Sequence, residues 1–410
     1  MLPPARLARP RPTCHDRAAM NDDPAPSPAL LPAGLRDLLS PEAETEAASV
    51  EALMAAFAAH GYERVKPPLL EFEDGLFAGP GAAVAEQTFR VMDPDTHRMM
   101  GLRADITPQV GRISATRLSR APRPLRLSYA GQCVRVRGGQ LASGRQVPQV
   151  GIELIGVDTA EADAETILVG AEALGALGVT RVSFDLLLPQ MAPALLDWAC
   201  VAPGGIRTAL TRALDRKDAA SVAELGARLD GPIAAILTDL LRASGPADTA
   251  LAALARVRLP PAAFALAVRL HEVVDVVRRR APGLRLTVDP IEFRGMRYHT
   301  GLCFSIYAPG SHEELVRGGR YVSGEAEPAA GLTLFADTIL RAAPSRPVPK
   351  RVFVPRGSDP AQAQALRGEG FVTVAGLADV ADAAAEAGRL LCTHVLRGGA
   401  AEALAQPAPG

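Results

Sequence analysis

Apolar side chains recur at Val50, Leu53, Met54 and Phe57, the i, i+3, i+4, i+7 spacing of one helical face. Ser40-Pro41 offers a helix entry, a capping hydroxyl followed by proline at the first helical position, and Gly61 marks the stop. Tyr62-Glu63-Arg64-Val65 reads as a strand closed by Pro67-Pro68. Between about residues 97 and 157 the pattern becomes short strands of alternating polarity: Met99 to Leu102, Leu125 to Gly131, Cys133 to Arg137 and Val150 to Val157. Gly138-Gly139 and Ser143-Gly144 make the intervening turn flexible, and the links are too short for crossover helices, so an antiparallel sheet is expected.

From about 190 to 282 helical periodicity takes over and the aromatics thin out to Trp198 and Phe264. Asp230 is placed to cap a helix with Pro232 in its first turn, followed by a stripe of Ile233, Ile236, Leu237, Leu240 and Leu241. Leu266, Leu270, Val273, Val274 and Val277 form a second stripe. This region reads as a helical insertion, after which Leu284, Leu286 and Val288, then Leu302 to Tyr307, resume the sheet. Beyond Pro347 the strand 351–354, an Ala-rich helix near 361–367 and the strand 371–374 make a βαβ fragment. The expected fold is α+β: an antiparallel sheet flanked by helices over 30–345, with an insertion at about 190–282 and a small α/β unit over 346–410. No internal repeat is visible.

Composition narrows the class. The 410 residues can bury a large core, and no apolar run reaches the roughly 18–20 residues of a membrane span. A net charge of −1 gives no global field for nucleic acid. Cys14, Cys133, Cys200, Cys303 and Cys392 lack metal-ligand spacing and read as free thiols of a reducing cytoplasm. Eight prolines within the first 32 residues, with Arg6, Arg9, Arg11 and Arg17, read as a disordered tail over 1–29, and Met20 is a candidate start.

Strand alternation puts Gln149, Gly151 and Glu153 on one face, and Cys133, Arg135 and Arg137 on one face of the neighbouring strand. Asp105 and Thr107 are expected to point together. A single strand Gln or Glu ordinarily faces solvent. If these faces meet, however, carboxylate, hydroxyl and amide suit an ammonium group, a second carboxylate suits an imidazole N–H, and arginine suits a carboxylate or phosphate. Recognition of an amino acid follows from that inventory; which one does not.

The order of segments from 30 to about 340, including the insertion, resembles the catalytic core of histidyl-tRNA synthetase, a class II aminoacyl-tRNA synthetase. Residues 129–156 resemble its motif 2 hairpin, Arg294-Gly295-Met296-Arg297-Tyr298-His299-Thr300-Gly301 its histidine signature, and Gly318-Gly319-Arg320-Tyr321 its glycine-rich turn. The resemblance implies that Asp105, Thr107 and Gln149 hold an α-amino group, that Glu153 and Tyr298 meet the imidazole, and that Arg135 and Arg294 lie at the carboxylate end. His299 stands where the synthetase has a second tyrosine. The helix-strand unit at the start would form a homodimer interface.

Other positions depart from the synthetase. Arg137 replaces a glutamate that reads ATP, and in the motif 3 segment Phe335 stands at an expected glycine and Thr338 at an expected arginine. Phenylalanine fills nucleotide space and threonine neutralises no phosphate, so ATP activation is expected to be lost. The combination resembles the family of ATP phosphoribosyltransferase regulatory subunits. That resemblance implies a non-catalytic, histidine-binding subunit of a hetero-oligomer, partnered by the short catalytic subunit, with no cofactor, no metal and no nucleic acid. The competing readings are a working or residually active histidyl-tRNA synthetase and a synthetase-like tRNA-sensing module. His15, His60 and His271 carry no metal site in this reading, and Pro203-Gly204-Gly205 is a plain helix start.

Overall fold

The computed structural model describes residues 30–138, 144–229, 231–293, 298–324, 326–345 and 347–404. Its strands in chain order are β1 (Glu63–Arg64), β2 (Leu70–Phe72), β3 (Arg90–Met92), β4 (Met99–Leu102), β5 (Leu125–Val134), β6 (Gln146–Ile155), β7 (Ser183–Leu187) and β8 (Gly245–Pro246). They continue as β9 (Arg285–Asp289), β10 (His299–Tyr307), β11 (Val316–Ser323), β12 (Glu327–Phe335), β13 (Arg351–Val354), β14 (Val372–Ala375), β15 (His394–Arg397) and β16 (Ala400–Ala403). Nine of them form one sheet in the order β1-β5-β6-β12-β11-β10-β7-β9-β8. The expected antiparallel pairing runs from β5 to β7, while β1 with β5 and β7 with β9 are parallel.

The two faces of this sheet differ. Val150, Ile152, Phe304, Ile306, Leu332 and Leu334 lie in the main apolar core with Leu53, Met54 and Phe57 of the helix Glu42–Ala59, with Ile167 and Leu174 of Ala160–Ala176, and with Leu270 and Val274 of Pro261–Arg280. Arg320, also on that side, donates from Nε to Asp163 Oδ1 at 2.8 Å and pins the helix Ala160–Ala176 to the strands. On the opposite face only a small cluster forms, in which Leu127, Tyr129, Cys133, Ile155 and Tyr321 meet Ile106 and Val110 of the segment entering the helix Thr107–Thr116. Beside it on that face stand Gln149, Glu153, Thr333 and Arg317.

Several local expectations are corrected. The first helix begins at Glu42 with Pro41 at its cap position and no capping side chain, so Ser40 does not cap it; Glu42 and Glu44 complement its dipole instead. The strand expected at 62–65 contracts to Glu63–Arg64, squeezed between the helix end, where Tyr62 N bonds Phe57 O at 3.2 Å, and Pro67. Cys133 does not open a separate strand, because β5 runs unbroken to Val134 and leaves Arg135 and Arg137 beyond the ladder. Thr107 is not extended: Asp105 Oδ1 accepts from Thr107 N at 3.0 Å, and with Pro108 following, the chain turns into a helix.

The insertion holds the expected helical stripes from Met191 to Arg280, interrupted by β8, which extends the sheet edge. Asp230 lies outside the described residues, and Pro232 occupies the cap position of Ile233–Arg242. The C-terminal unit is a four-stranded sheet, β14-β13-β15-β16, with Pro360–Gly368 as the crossover helix. Phe371 precedes β14 and packs on the apolar cluster of Val352 and Leu366.

Candidate functional site

Glu153 and Gln149 sit on the less apolar face of β6, separated by Gly151, and both are buried. Three hydroxyls converge on the Glu153 carboxyl group. Thr107 Oγ1 and Tyr129 Oη donate to Oε1 at 2.9 and 3.3 Å, and Tyr321 Oη donates to Oε2 at 2.7 Å. Burial pushes the Glu153 carboxyl up to about 8; the hydroxyls pull against that shift and the nearby charge of Asp105 adds to it. Above the usual carboxylate range, the acid holds its proton near neutral pH.

Gln149 is fixed at both ends of its amide. Oε1 accepts from Ile106 N at 2.8 Å and Cys133 Sγ at 3.0 Å; Nε2 donates to Asp105 Oδ1 at 2.8 Å and Thr333 Oγ1 at 3.3 Å. Thr333 also bonds Tyr129 Oη at 3.0 Å, so amide, hydroxyls and both carboxyl groups form one network. Two glycines make room for it. A Cβ on Gly331, paired with Glu153 across β12 and β6, would lie 1.9 Å from Glu153 Oε2, and one on Gly151 would lie 2.4 Å from Tyr129 Oη.

Tyr298 and His299 form the other wall. Their rings stack at 4.1 Å, and Tyr298 meets Tyr321 edge-on at 6.0 Å. Burial holds the Tyr298 hydroxyl well above its ordinary value, with the charges of Asp105 and Glu153 acting the same way. His299 is 3% exposed, its Nδ1 has no partner among the described residues, and its carbonyl accepts from Gln190 Nε2 at 2.6 Å. Burial, helped by the charge of Arg317, pushes this imidazole down to about 3, so it is neutral.

Of the residues expected in the site, Asp105, Thr107, Gln149, Glu153, Tyr298 and His299 are brought together in or beside this network. Arg135 lies past the end of β5, half-buried, its guanidinium without a hydrogen bond or ion pair among the described residues. Arg294 lies outside the described residues. Sequence reasoning missed Tyr129, Tyr321, Thr333 and Arg317. Alternation would have put Tyr129 on the face of Leu127 and Cys133, but pairing across β6, β12 and β11 is what puts the other three on the face of Glu153 and Gln149.

At the end of β12, Phe335 stands opposite Gln149. The Thr338 hydroxyl is 2.9 Å from the carbonyls of both Glu314 and Phe335, which ties the helix Ala336–Ala342 to the turn before β11. No group of three His, Cys, Asp or Glu side chains able to hold a metal occurs among the described residues. Nor is any helix among them long and apolar enough to cross a membrane.

The sequence profile of the family described as histidyl-tRNA synthetase matches residues 34–339. A protein of Gluconobacter oxydans named ATP phosphoribosyltransferase regulatory subunit is 52% identical over 379 residues, 92% of this chain and 98% of that protein. One of the same name from Paramagnetospirillum magneticum is 54% identical over 368 residues, 90% of this chain and 96% of its own length. A solved structure described as an ATP phosphoribosyltransferase regulatory subunit/histidyl-tRNA synthetase from Bacillus halodurans C superposes with a TM-score of 0.76. It covers 89% of this chain and 97% of its own at 23% identity, a likeness of fold.

Proposed function

We propose a function that starts from a fact of descent: the chain belongs to the family of ATP phosphoribosyltransferase regulatory subunits, on a histidyl-tRNA synthetase-like fold. As a member it is a regulatory subunit and not a catalyst of phosphoribosyl transfer. In this reading the sheet cavity binds free histidine. Asp105, Gln149 and Thr107 receive its ammonium end, and Glu153 and Tyr298 its imidazole. The bound protein, a homodimer in the cytoplasm, assembles with the short catalytic subunit and places the first step of histidine biosynthesis under feedback control.

The observation that carries the reading is the Glu153 cage. A carboxyl group this deeply buried is costly unless it is paired. Here three hydroxyls orient it, and one of them, that of Tyr321, belongs to a ring that meets the stacked pair of Tyr298 and His299. An imidazole offers it an N–H and a flat face for those rings. Phe335 and Thr338 support the absence of adenylate chemistry, since neither offers a triphosphate a charge, and Thr338 is already bonded to the backbone. A pocket that selects an amino acid without activating it reports on its concentration. Linkage then requires histidine to bind the active and inhibited complexes with different affinity, a coupling of about 1–3 kcal/mol in typical systems.

The experiment mixes the purified chain with a short-form ATP phosphoribosyltransferase catalytic subunit. Co-elution is expected, with a phosphoribosyl-transfer rate that changes on mixing and falls when histidine is added. Histidine-dependent ATP–pyrophosphate exchange by the chain alone is expected to stay at background. A catalytic subunit that neither co-elutes nor changes rate would overturn the regulatory reading, and robust exchange would restore the synthetase one.

A further inference from the structure

We propose that Arg317 binds the α-carboxylate of the amino acid held beside the Glu153 network. The inference rests on the histidine-binding reading and specifies what holds the carboxylate end of that ligand. Position comes first. Arg317 pairs with Thr333 across β11 and β12, and Thr333 pairs with Gly151 across β12 and β6. Paired residues in neighbouring strands share a face, so the Arg317 side chain rises from the same floor as Gln149 and Glu153, which flank Gly151 by two residues. Between them lies Thr333, whose hydroxyl is bound to Gln149 and Tyr129. An ammonium group placed on Asp105 and Gln149 therefore has its carboxylate directed across Thr333 toward Arg317.

The state of the guanidinium is the second observation. Arg317 Nη2 is paired with Glu314 Oε2, and Glu314 is itself held by Ser305 Oγ at 2.8 Å and Tyr307 Oη at 3.2 Å. That anchor sets the direction of the fork. Nε, by contrast, is buried and has no acceptor among the described residues. A buried N–H left unpaired is costly and uncommon, and on the face that carries Gln149 and Glu153 it marks where an acceptor belongs. Arginine has five donors, so one carboxylate on Nη2 leaves room for a second on the Nε side. The charge also reaches the site: it acts on Tyr298, His299 and Cys303, at and just before the neighbouring strand β10. Arg135, by comparison, sits beyond the strand end.

The test compares two ligands that differ only in the group Arg317 would touch. Calorimetry on the full chain measures histidine and histamine, which lacks the carboxylate, against wild type and Arg317→Gln. Loss of a charge-assisted hydrogen bond is expected to weaken histidine about 10- to 100-fold in the variant, with histamine changing less than about twofold. Arg317→Lys keeps the charge and loses the fork, and is expected to fall between; it reads the same split if the glutamine variant does not melt cooperatively. Equal losses for both ligands would make Arg317 a structural partner of Glu314 and overturn the proposal, as would no loss for either. If wild type binds neither ligand, the histidine reading itself falls and the role of Arg317 with it.

Discussion

The two walls of the site differ in how their polar atoms are satisfied. On the β6 side, both Glu153 oxygens and both ends of the Gln149 amide have partners. On the β10 and β11 side, His299 Nδ1 and Arg317 Nε have none among the described residues. An unsatisfied buried polar atom costs about 1–3 kcal/mol, so the second wall carries a cost that the first avoids. The difference teaches that one wall is set by the protein's own groups, while in the histidine-binding reading the other is completed by the ligand. A preorganised half fixes orientation, and an incomplete half gives the ligand something to change.

The largest expected effect is on stability against pH, because the two walls hold oppositely perturbed groups. Glu153 titrates at about 8 in the folded protein against an ordinary 4.5. The unfolded chain therefore releases its proton first, and stability falls as pH rises from about 4.5 to about 8. His299 titrates at about 3 against 6.5, so its neutral burial costs stability as pH falls from about 6.5 toward 3. Glu153→Gln removes only the first loss. Its melting temperature relative to wild type is expected to climb between pH 5 and 8, by on the order of a few kcal/mol of stability. A constant offset across that range would show that Glu153 is not held protonated.

Ligand affinity comes next. Glu153→Gln keeps the shape of the cage and loses its capacity for charge, and calorimetry is expected to give a histidine affinity about 10- to 100-fold weaker, roughly 1.5–3 kcal/mol. Unchanged affinity would move the ligand elsewhere. A steric version of the same break is Gly331→Ala, whose methyl would collide with Glu153 Oε2 and lie 2.8 Å from Ile152 O. Overpacking of this kind costs about 1–3 kcal/mol, and histidine binding is expected to fail with it. Gly205→Ala is the matched control, since nothing lies within 4 Å of the added atom at that helix start, and thermal melts are expected to show no loss.

Much of the first wall was legible in the sequence. Gln149, Gly151 and Glu153 are a period-two pattern within one strand, and a glycine beside a carboxylate signalled a close approach. Asp105 and Thr107 were legible as chemistry but not as conformation, because an Asx turn followed by Pro108 overrode the extended reading. Tyr321, Thr333 and Arg317 were not legible as site residues. Their roles depend on the register of β6, β12 and β11, and a shift of one residue would turn each of them to the other face. The fold followed the same division: helical stripes and alternating strands were readable locally, whereas the parallel placement of β1 and β9 depends on contacts distant in sequence.

The smallest effect tests where the two walls meet. Thr333 is opposite both Gly151 and Arg317, and its hydroxyl accepts from Gln149 Nε2 while sharing a proton with Tyr129 Oη. Thr333→Val keeps the volume and removes both bonds, which is expected to cost about 0.5–1.5 kcal/mol in a denaturant melt. The residue acts on ligand only through the amide and the tyrosine, both on the satisfied wall. Affinity for histidine and for histamine is therefore expected to fall by the same small factor, unlike the split expected for Arg317→Gln. A loss confined to histidine would mean that Thr333 itself donates to the carboxylate, and the boundary between the set wall and the incomplete one would move one strand toward β6.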